Sequence, residues 1–204
     1  MKPIICLDGD GVLLDFHEAY RQVWRKAFGV LPELRDPLAY WPIDRWDVRR
    51  LDGEELIKFR AHFDVGFWSA IPAIPGAIDA CLRLTDAGYE LVCVTALETR
   101  FQPARLQNLR DRGFPIERVV TTTSGDSDVS PKAAALQDLR PVAFVDDYLP
   151  YMRGLPSYIH TALIMREPNG SPNACSERES VHSCHADLAE FADWWLAKHH
   201  NQSV

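Results

Sequence analysis

Residues 6–15 read Cys6-Leu7-Asp8-Gly9-Asp10-Gly11-Val12-Leu13-Leu14-Asp15. The apolar run Pro3–Leu7 ends in two carboxylates spaced one residue apart. An apolar run of this length, bounded by turn residues, reads as a buried strand. In open parallel sheets, ligands bind just beyond the carboxyl ends of strands. Gly9 and Gly11 let the backbone turn tightly and approach a ligand. The competing reading is an acidic turn that only ends a strand, since Asp and Gly are common there.

Four more runs have the same character: Tyr89–Thr95, Arg118–Thr121, Pro141–Val145 and Tyr158–Met165. Helical patterns lie between them. Ile78, Cys81, Leu82 and Thr85 recur at helical spacing after Pro75-Gly76. Ser130-Pro131 offers an N-cap followed by proline at the first helical position. Leu188, Phe191, Ala192 and Trp195 give a closing amphipathic helix. Alternating strands and helices imply an α/β fold with a Rossmann-like parallel sheet flanked by helices.

Residues 16–71 break the alternation. Phe16, Tyr20, Val23, Trp24, Ala27 and Phe28 form one helical stripe, and Leu56, Phe59 and Phe63 a second. Leu31–Asp52 between them, with three prolines, reads as irregular. The chain therefore divides into an α/β core (1–15 and 72–204) and a small helical insertion (16–71). Glu167–Ser180 is polar, with Pro, Gly, Asn and Ser, and reads as a mobile loop.

Three further segments carry chemistry. Val142-Ala143-Phe144-Val145-Asp146-Asp147 is a second strand ending in acids. Adjacent carboxylates repel and are costly without a cation. If the two strand ends are neighbours in the sheet, four carboxylates converge, and an all-oxygen set suits magnesium. Thr95 closes the run Leu91–Thr95, where its hydroxyl can bond a phosphoryl oxygen. Lys132 sits in the expected first turn of a helix, where the dipole disfavours a cation. An anionic partner explains that placement. Taken singly, each has an ordinary alternative: a solvated acidic turn, an unremarkable threonine, a surface lysine.

The order Asp8-Gly9-Asp10-Gly11, Thr95, Lys132, Asp146-Asp147 resembles the haloacid dehalogenase-like superfamily across residues 3 to about 165. A closer resemblance is to 5′(3′)-deoxyribonucleotidases. It rests on Asp8 to Phe16, on Phe67-Trp68 with Pro75-Gly76-Ala77, and on the tail from His182 to Leu196. Thr95 is followed here by Ala96-Leu97-Glu98, a departure beside the phosphate pocket.

The resemblance implies a magnesium-dependent phosphohydrolase. Asp8 is the nucleophile, Asp10 the general acid and base, and Thr95 and Lys132 hold the phosphoryl group. Mg2+ is held by Asp8, the Asp10 carbonyl and Asp147, with Asp146 in support. The insertion serves as a cap, and Phe16 and Trp41 are candidates for stacking on a nucleobase. The expected partner is a small phosphorylated metabolite, with a nucleoside monophosphate first and a sugar phosphate as alternative. A phosphonate-cleaving relative would need a cap lysine, Lys26 or Lys58. A catalytically silent metal-binding module is the alternative from another class.

Bulk properties narrow the field. A hydrophobic content of 47% over 204 residues supports a packed core rather than disorder. The formal charge of −7 argues against nucleic-acid polymers, which call for a basic face. It leaves small phosphates open, because a local metal ion can override the global field. Five cysteines, an odd number without a CxxC pair, favour a reducing compartment over a disulfide framework. No apolar run approaches the length of a membrane span. A cytoplasmic protein is the expectation.

Overall fold

The computed structural model describes residues 2–125, 127–173 and 175–200. Six parallel strands form one sheet: β1 (Ile4–Leu7), β2 (Glu90–Ala96), β3 (Arg118–Thr122), β4 (Ala143–Asp146), β5 (His160–Ile164) and β6 (Ser183–His185). Their spatial order is β3-β2-β1-β4-β5-β6. The first strand therefore lies centrally, with β2 on one side and β4 on the other.

Alternation along the strands builds two cores. Ile5 and Leu7, Leu91 and Cys93, Ala143 and Val145, Ala162 and Ile164 face one way. Cys6, Val92 and Val94, Phe144 and Leu163 face the other. The first face is covered by α5 (Ala77–Asp86), by Leu109 of α6 (Gln102–Arg112), and by α8 (Leu188–His200). The second is covered by Leu136 of α7 (Ala133–Leu139) with Leu149, Met152 and Ile159. Strands buried on both sides are why these segments read as continuous apolar runs.

Between β1 and α5 lie α1 (Phe16–Phe28), α2 (Pro42–Arg45), α3 (Gly53–Arg60) and α4 (Val65–Trp68). Asp15 caps α1 by accepting a 3.0 Å hydrogen bond from the Glu18 amide. Val23, Trp24, Trp46, Val48 and Phe59 form a separate apolar cluster here. Leu31–Asp52, expected to be irregular, contains the one-turn helix α2 and an isolated bridge between Leu34 and Trp46.

The structure corrects several other expectations. The five expected strands are present with ends shifted by one or two residues. The sixth, β6, lies in a stretch read as chain tail. Helix α5 buries Ala77, Ala80, Cys81 and Leu84, while Leu82 is 44% exposed, so its inner face is rotated from the expected stripe. Ser130-Pro131-Lys132 is a turn: the Ser130 hydroxyl accepts from the Lys132 amide, and the helix begins at Ala133. Lys132 is thus the N-cap rather than a first-turn residue, because its side chain is drawn into the protein. All five cysteines are free thiols, with Cys6, Cys81 and Cys93 buried. Among the described residues no helix is long and apolar enough to cross a membrane.

Candidate active site

The sheet order assembles the site. Asp8 follows β1, Thr95 lies near the end of β2, Asp146 ends β4 and Asp147 follows it. All stand at the same edge of adjacent strands. The Asp8 amide donates to the Val145 carbonyl at 2.9 Å and so extends the pairing past β1. The loop then folds on itself, with the Leu13 and Leu14 amides donating to the Gly9 carbonyl at 3.1 and 2.9 Å. Gly11 is sterically required, and Gly9 leaves little room for a side chain. A Cβ on Gly9 would come 3.0 Å from Thr95 Oγ1, and one on Gly11, at φ +91°, would come 2.1 Å from Asp147 Oδ2.

Lys132 is wholly buried and reaches both acidic strand ends. Its Nζ donates to Asp8 Oδ1, and to Asp146 Oδ2 at 2.7 Å. Burial works against its charge, but Asp146 and Asp8 outweigh that penalty, and the net effect raises its pKa. Asp146 is further occupied by the Tyr148 amide, which donates to its Oδ1 at 2.9 Å. Asp147 is held differently. Its carbonyl accepts from Asn173 Nδ2 at 2.7 Å and from the Tyr40 hydroxyl at 3.2 Å. Its Oδ2 faces Arg166 Nη1 at 3.3 Å.

Burial pushes Asp146 up to about 7 despite Lys132, and Asp147 up to about 8 despite Arg166. Asp8 adds repulsion to both. Asp10 is likewise raised, by burial first and Asp8 third, with Arg105 opposing. Ligand oxygens of Asp8, Asp146 and Asp147 all lie within 4.8 Å of one another. Four carboxylates here face three cations: Lys132, Arg105 and Arg166. With all four acids ionised, a phosphate dianion entering that field would meet excess negative charge. The donor set and the charge deficit both fit a hard divalent cation.

The acids open into a cleft of about 380 Å³ whose walls include Phe16, Tyr40, Trp41, Thr95, Tyr148 and Arg166. A second cleft of about 930 Å³ shares Phe16 and Ala96 with it and runs between Phe63, Trp68 and the 97–101 and 121–124 segments. Phe16 therefore stands between the two. It also packs on Phe63, Phe67 and Trp68, with ring centroids about 6 Å apart. Trp41 is at the rim, 42% exposed, with Nε1 donating to the Gly170 carbonyl at 3.1 Å. Lys26 and Lys58 pair with Asp64 and Glu54 at exposed positions and line neither cleft, which removes the support for a Schiff-base lysine.

Several residues at the site escaped sequence reasoning. Arg105 of α6 donates to Asp10 Oδ2 at 2.8 Å. Arg166, just past β5, bridges Asp147, Glu167 and His17. His17 has its pKa lowered by burial and then by Arg166. Its bonds fit the neutral ring: Nδ1 accepts from Arg166, and Nε2 donates to the Tyr40 carbonyl at 2.8 Å. The loop after β5, expected to be mobile, is pinned to the 16–71 segment. The Tyr40 amide donates to the Asn169 carbonyl and the Asn169 amide to the Leu38 carbonyl, both at 2.9 Å. Arg45 adds a 3.2 Å ion pair to Glu167.

Residues 2–116 match the family described as 5′ nucleotidase, deoxy (pyrimidine), cytosolic type C protein (NT5C). Over 97 residues the chain is 32% identical to a provisionally named 5′(3′)-deoxyribonucleotidase of Bordetella bronchiseptica. That stretch is 46% of this chain and 50% of the relative, so the chain spans about half the length of the curated relatives it matches. Among solved structures, a haloacid dehalogenase-like family hydrolase from Streptococcus pneumoniae superposes with a TM-score of 0.62 at 16% identity, covering 95% of this chain and 98% of its own. A D,D-heptose 1,7-bisphosphate phosphatase from B. bronchiseptica, complexed with magnesium and phosphate, gives 0.54 at 16% identity, covering 97% and 99%. These two likenesses establish the fold, an α/β core of the haloacid dehalogenase-like kind.

Proposed function

We propose, from the premise that this chain belongs to the 5′ nucleotidase, deoxy (pyrimidine), cytosolic type C family, that it hydrolyses small phosphomonoesters through an aspartyl-phosphate. The observation that carries the reading is the convergence of Asp8, Asp146 and Asp147 within 4.8 Å, with Lys132 bonded to two of them.

An Asp8 oxygen attacks phosphorus while the ester oxygen departs, so one hard displacement becomes two easier ones. Asp10 gives its proton to the departing alcohol, then takes one from the water that attacks the phosphoenzyme. Thr95 donates its hydroxyl to a phosphoryl oxygen. Lys132 offsets charge on Asp8 and the phosphoryl group and keeps its proton throughout. Phosphoryl transfer needs chiefly positioning and electrostatics, which these groups supply.

Mg2+ is the cation the all-oxygen donor set suits best, and when bound it neutralises charge on the transferred group. Asp8, the Asp10 carbonyl and Asp147 would hold it. Both Asp146 oxygens are taken by short bonds, from Lys132 at 2.7 Å and the Tyr148 amide at 2.9 Å, whereas Asp147 is met only at Oδ2, by Arg166 at 3.3 Å and the Tyr40 hydroxyl at 3.5 Å; this favours Asp147 as the direct ligand and Asp146 in support.

Residues 16–71 act as the cap, with Phe16 and Trp41 reading the leaving group. The position of Phe16 between two clefts supports a leaving group with a flat ring. A deoxynucleoside monophosphate is the substrate class we favour. Buried free thiols at Cys6, Cys81 and Cys93 suit a reducing compartment, and we place the protein in the cytoplasm.

The test is turnover of p-nitrophenyl phosphate and a panel of phosphomonoesters, with and without Mg2+. Metal-dependent turnover that vanishes in a folded Asp8→Asn variant is the expected result. Full activity in that variant would remove Asp8 as nucleophile. If sugar phosphates outperform every nucleotide, the base-stacking reading goes, and Phe16 and Trp41 are packing residues.

A further inference from the structure

Helix α6 places a charge in the protein interior. Arg105 has no exposed surface and is among the largest fully buried side chains. One face of its guanidinium lies 5.3 Å from the Trp68 ring, in the 16–71 segment. A Cβ on Gly9 would meet its Cζ at 3.5 Å, so it packs against the catalytic loop. Its only hydrogen bond among the described residues is from Nη2 to Asp10 Oδ2, at 2.8 Å, while Nε and Nη1 have no partner. Burying a guanidinium with two of its nitrogens unpaired is costly. Its side chain has no exposed surface and is not among the residues that line the acidic cleft. The arrangement makes sense only through the carboxylate it grips.

We propose that Arg105 is a positioning residue: braced by Trp68, it fixes the orientation of the Asp10 carboxylate for proton exchange with the leaving group. The inference rests on the reading of Asp10 as acid and base. As the bond from Asp8 oxygen to phosphorus forms and the bond from phosphorus to the ester oxygen breaks, the proton passes from Asp10 to that oxygen. Arg105 neither gains nor loses a proton. Because Trp68 lies in the 16–71 segment, the acid's aim depends on how that segment is seated.

Leaving groups differ in how much they need this proton. An alkoxide or nucleoside leaving group requires it, whereas 2,4-dinitrophenolate departs as a stable anion. Misplacement of a catalytic group by about 1 Å can cost about 10²-fold. In the full-length protein, Arg105→Gln should lower kcat/KM for a nucleoside or alkyl monophosphate by about 10²-fold. The loss for 2,4-dinitrophenyl phosphate should be far smaller. Arg105→Lys, which keeps a donor near Asp10, should restore about tenfold of it.

Asp10→Asn, measured alongside, should show the same split. If Asp10→Asn slows both substrates equally, the acid/base role of Asp10 fails, and with it the mechanism above. If Asp10→Asn splits the substrates but Arg105→Gln slows both equally, or neither, Arg105 is a packing residue and the inference is overturned. Should circular dichroism find Arg105→Gln unfolded, Arg105→Lys decides: a smaller split supports the proposal and an equal loss overturns it.

Discussion

Replacing Lys132 with methionine removes a charge while keeping most of the side chain's volume. The wild-type ammonium is buried, bonded to Asp8 and Asp146, and held charged across any practical pH by those two carboxylates. Without it, both acids are left in a water-poor site without the cation they bond. Breaking a buried ion pair by removing one partner costs about 3–5 kcal/mol. Whole domains have only about 5–15 kcal/mol of stability, so this is a third or more of a typical total.

The site has one means of relief, which is to take up a proton. Asp146 stands at about 7 even with Lys132 present, and losing the cation moves it higher. Each unit by which pH lies below that value returns about 1.4 kcal/mol. The penalty should therefore be larger at about pH 9 than near pH 6, since below about 7 wild-type Asp146 holds the same proton and the difference levels off. Urea unfolding of metal-free protein at both pH values, with unchanged m, measures it. A loss below about 1 kcal/mol at pH 9, or one no larger there than at pH 6, would refute the idea that Lys132 balances this cluster.

Metal-free wild-type protein should itself lose stability as pH rises. Asp146 and Asp147 have folded values of about 7 and about 8, above the 3.8 of the free group. The folded chain then holds protons the unfolded chain has released, so their contribution is complete below about pH 4 and lost through pH 7–8. Mg2+, which favours the ionised acids, should flatten the profile; a Tm in EDTA that climbs toward pH 8 contradicts this. Gly11→Ala should lower Tm and abolish divalent binding by calorimetry, because its Cβ would sit 2.1 Å from Asp147 Oδ2 at a strained φ of +91°. Retained affinity would mean the loop can shift without harm. Phe16→Ala and Trp41→Ala should narrow the preference for a deoxynucleoside monophosphate over p-nitrophenyl phosphate by about 10- to 100-fold. An unchanged ratio would assign both rings to packing.

Much of this architecture is written locally. Buried parallel strands must be apolar on both faces, so β1, β2, β4 and β5 announce themselves, and the acidic or hydroxylic ends of the first three mark the site. Other parts depend on partners that no local pattern reveals. Helix α6 buries Ala104, Arg105, Asn108 and Leu109, a face too polar to register as amphipathic. Arg105 is a core residue only because Asp10, ninety-five positions earlier, is its counter-ion. Strand β6, Ser183-Cys184-His185, is three residues long and is defined by pairing with β5. The inner face of α5 is set by how α8 packs on it, and small residues there, Ala77 and Ala80, carry little hydropathic signal. Arg166 and Tyr40 belong to loops whose polar composition gives no hint that they meet at Asp147.

The central place of β1 in the sheet has a consequence during synthesis. Its β2 neighbour pairs from Glu90, but its other neighbour, β4, does not begin until Ala143. Close to 140 residues separate Ile5 from its partner Ala143. At about 5–20 residues per second, a ribosome takes roughly 7–30 s to supply that partner. Throughout that interval the nascent chain carries a hydrophobic strand with at least one flank of amide and carbonyl groups open, a template for intermolecular pairing. The same late arrival of β4 means that Asp146 and Asp147 cannot join Asp8 until the aggregation-prone edge has been closed.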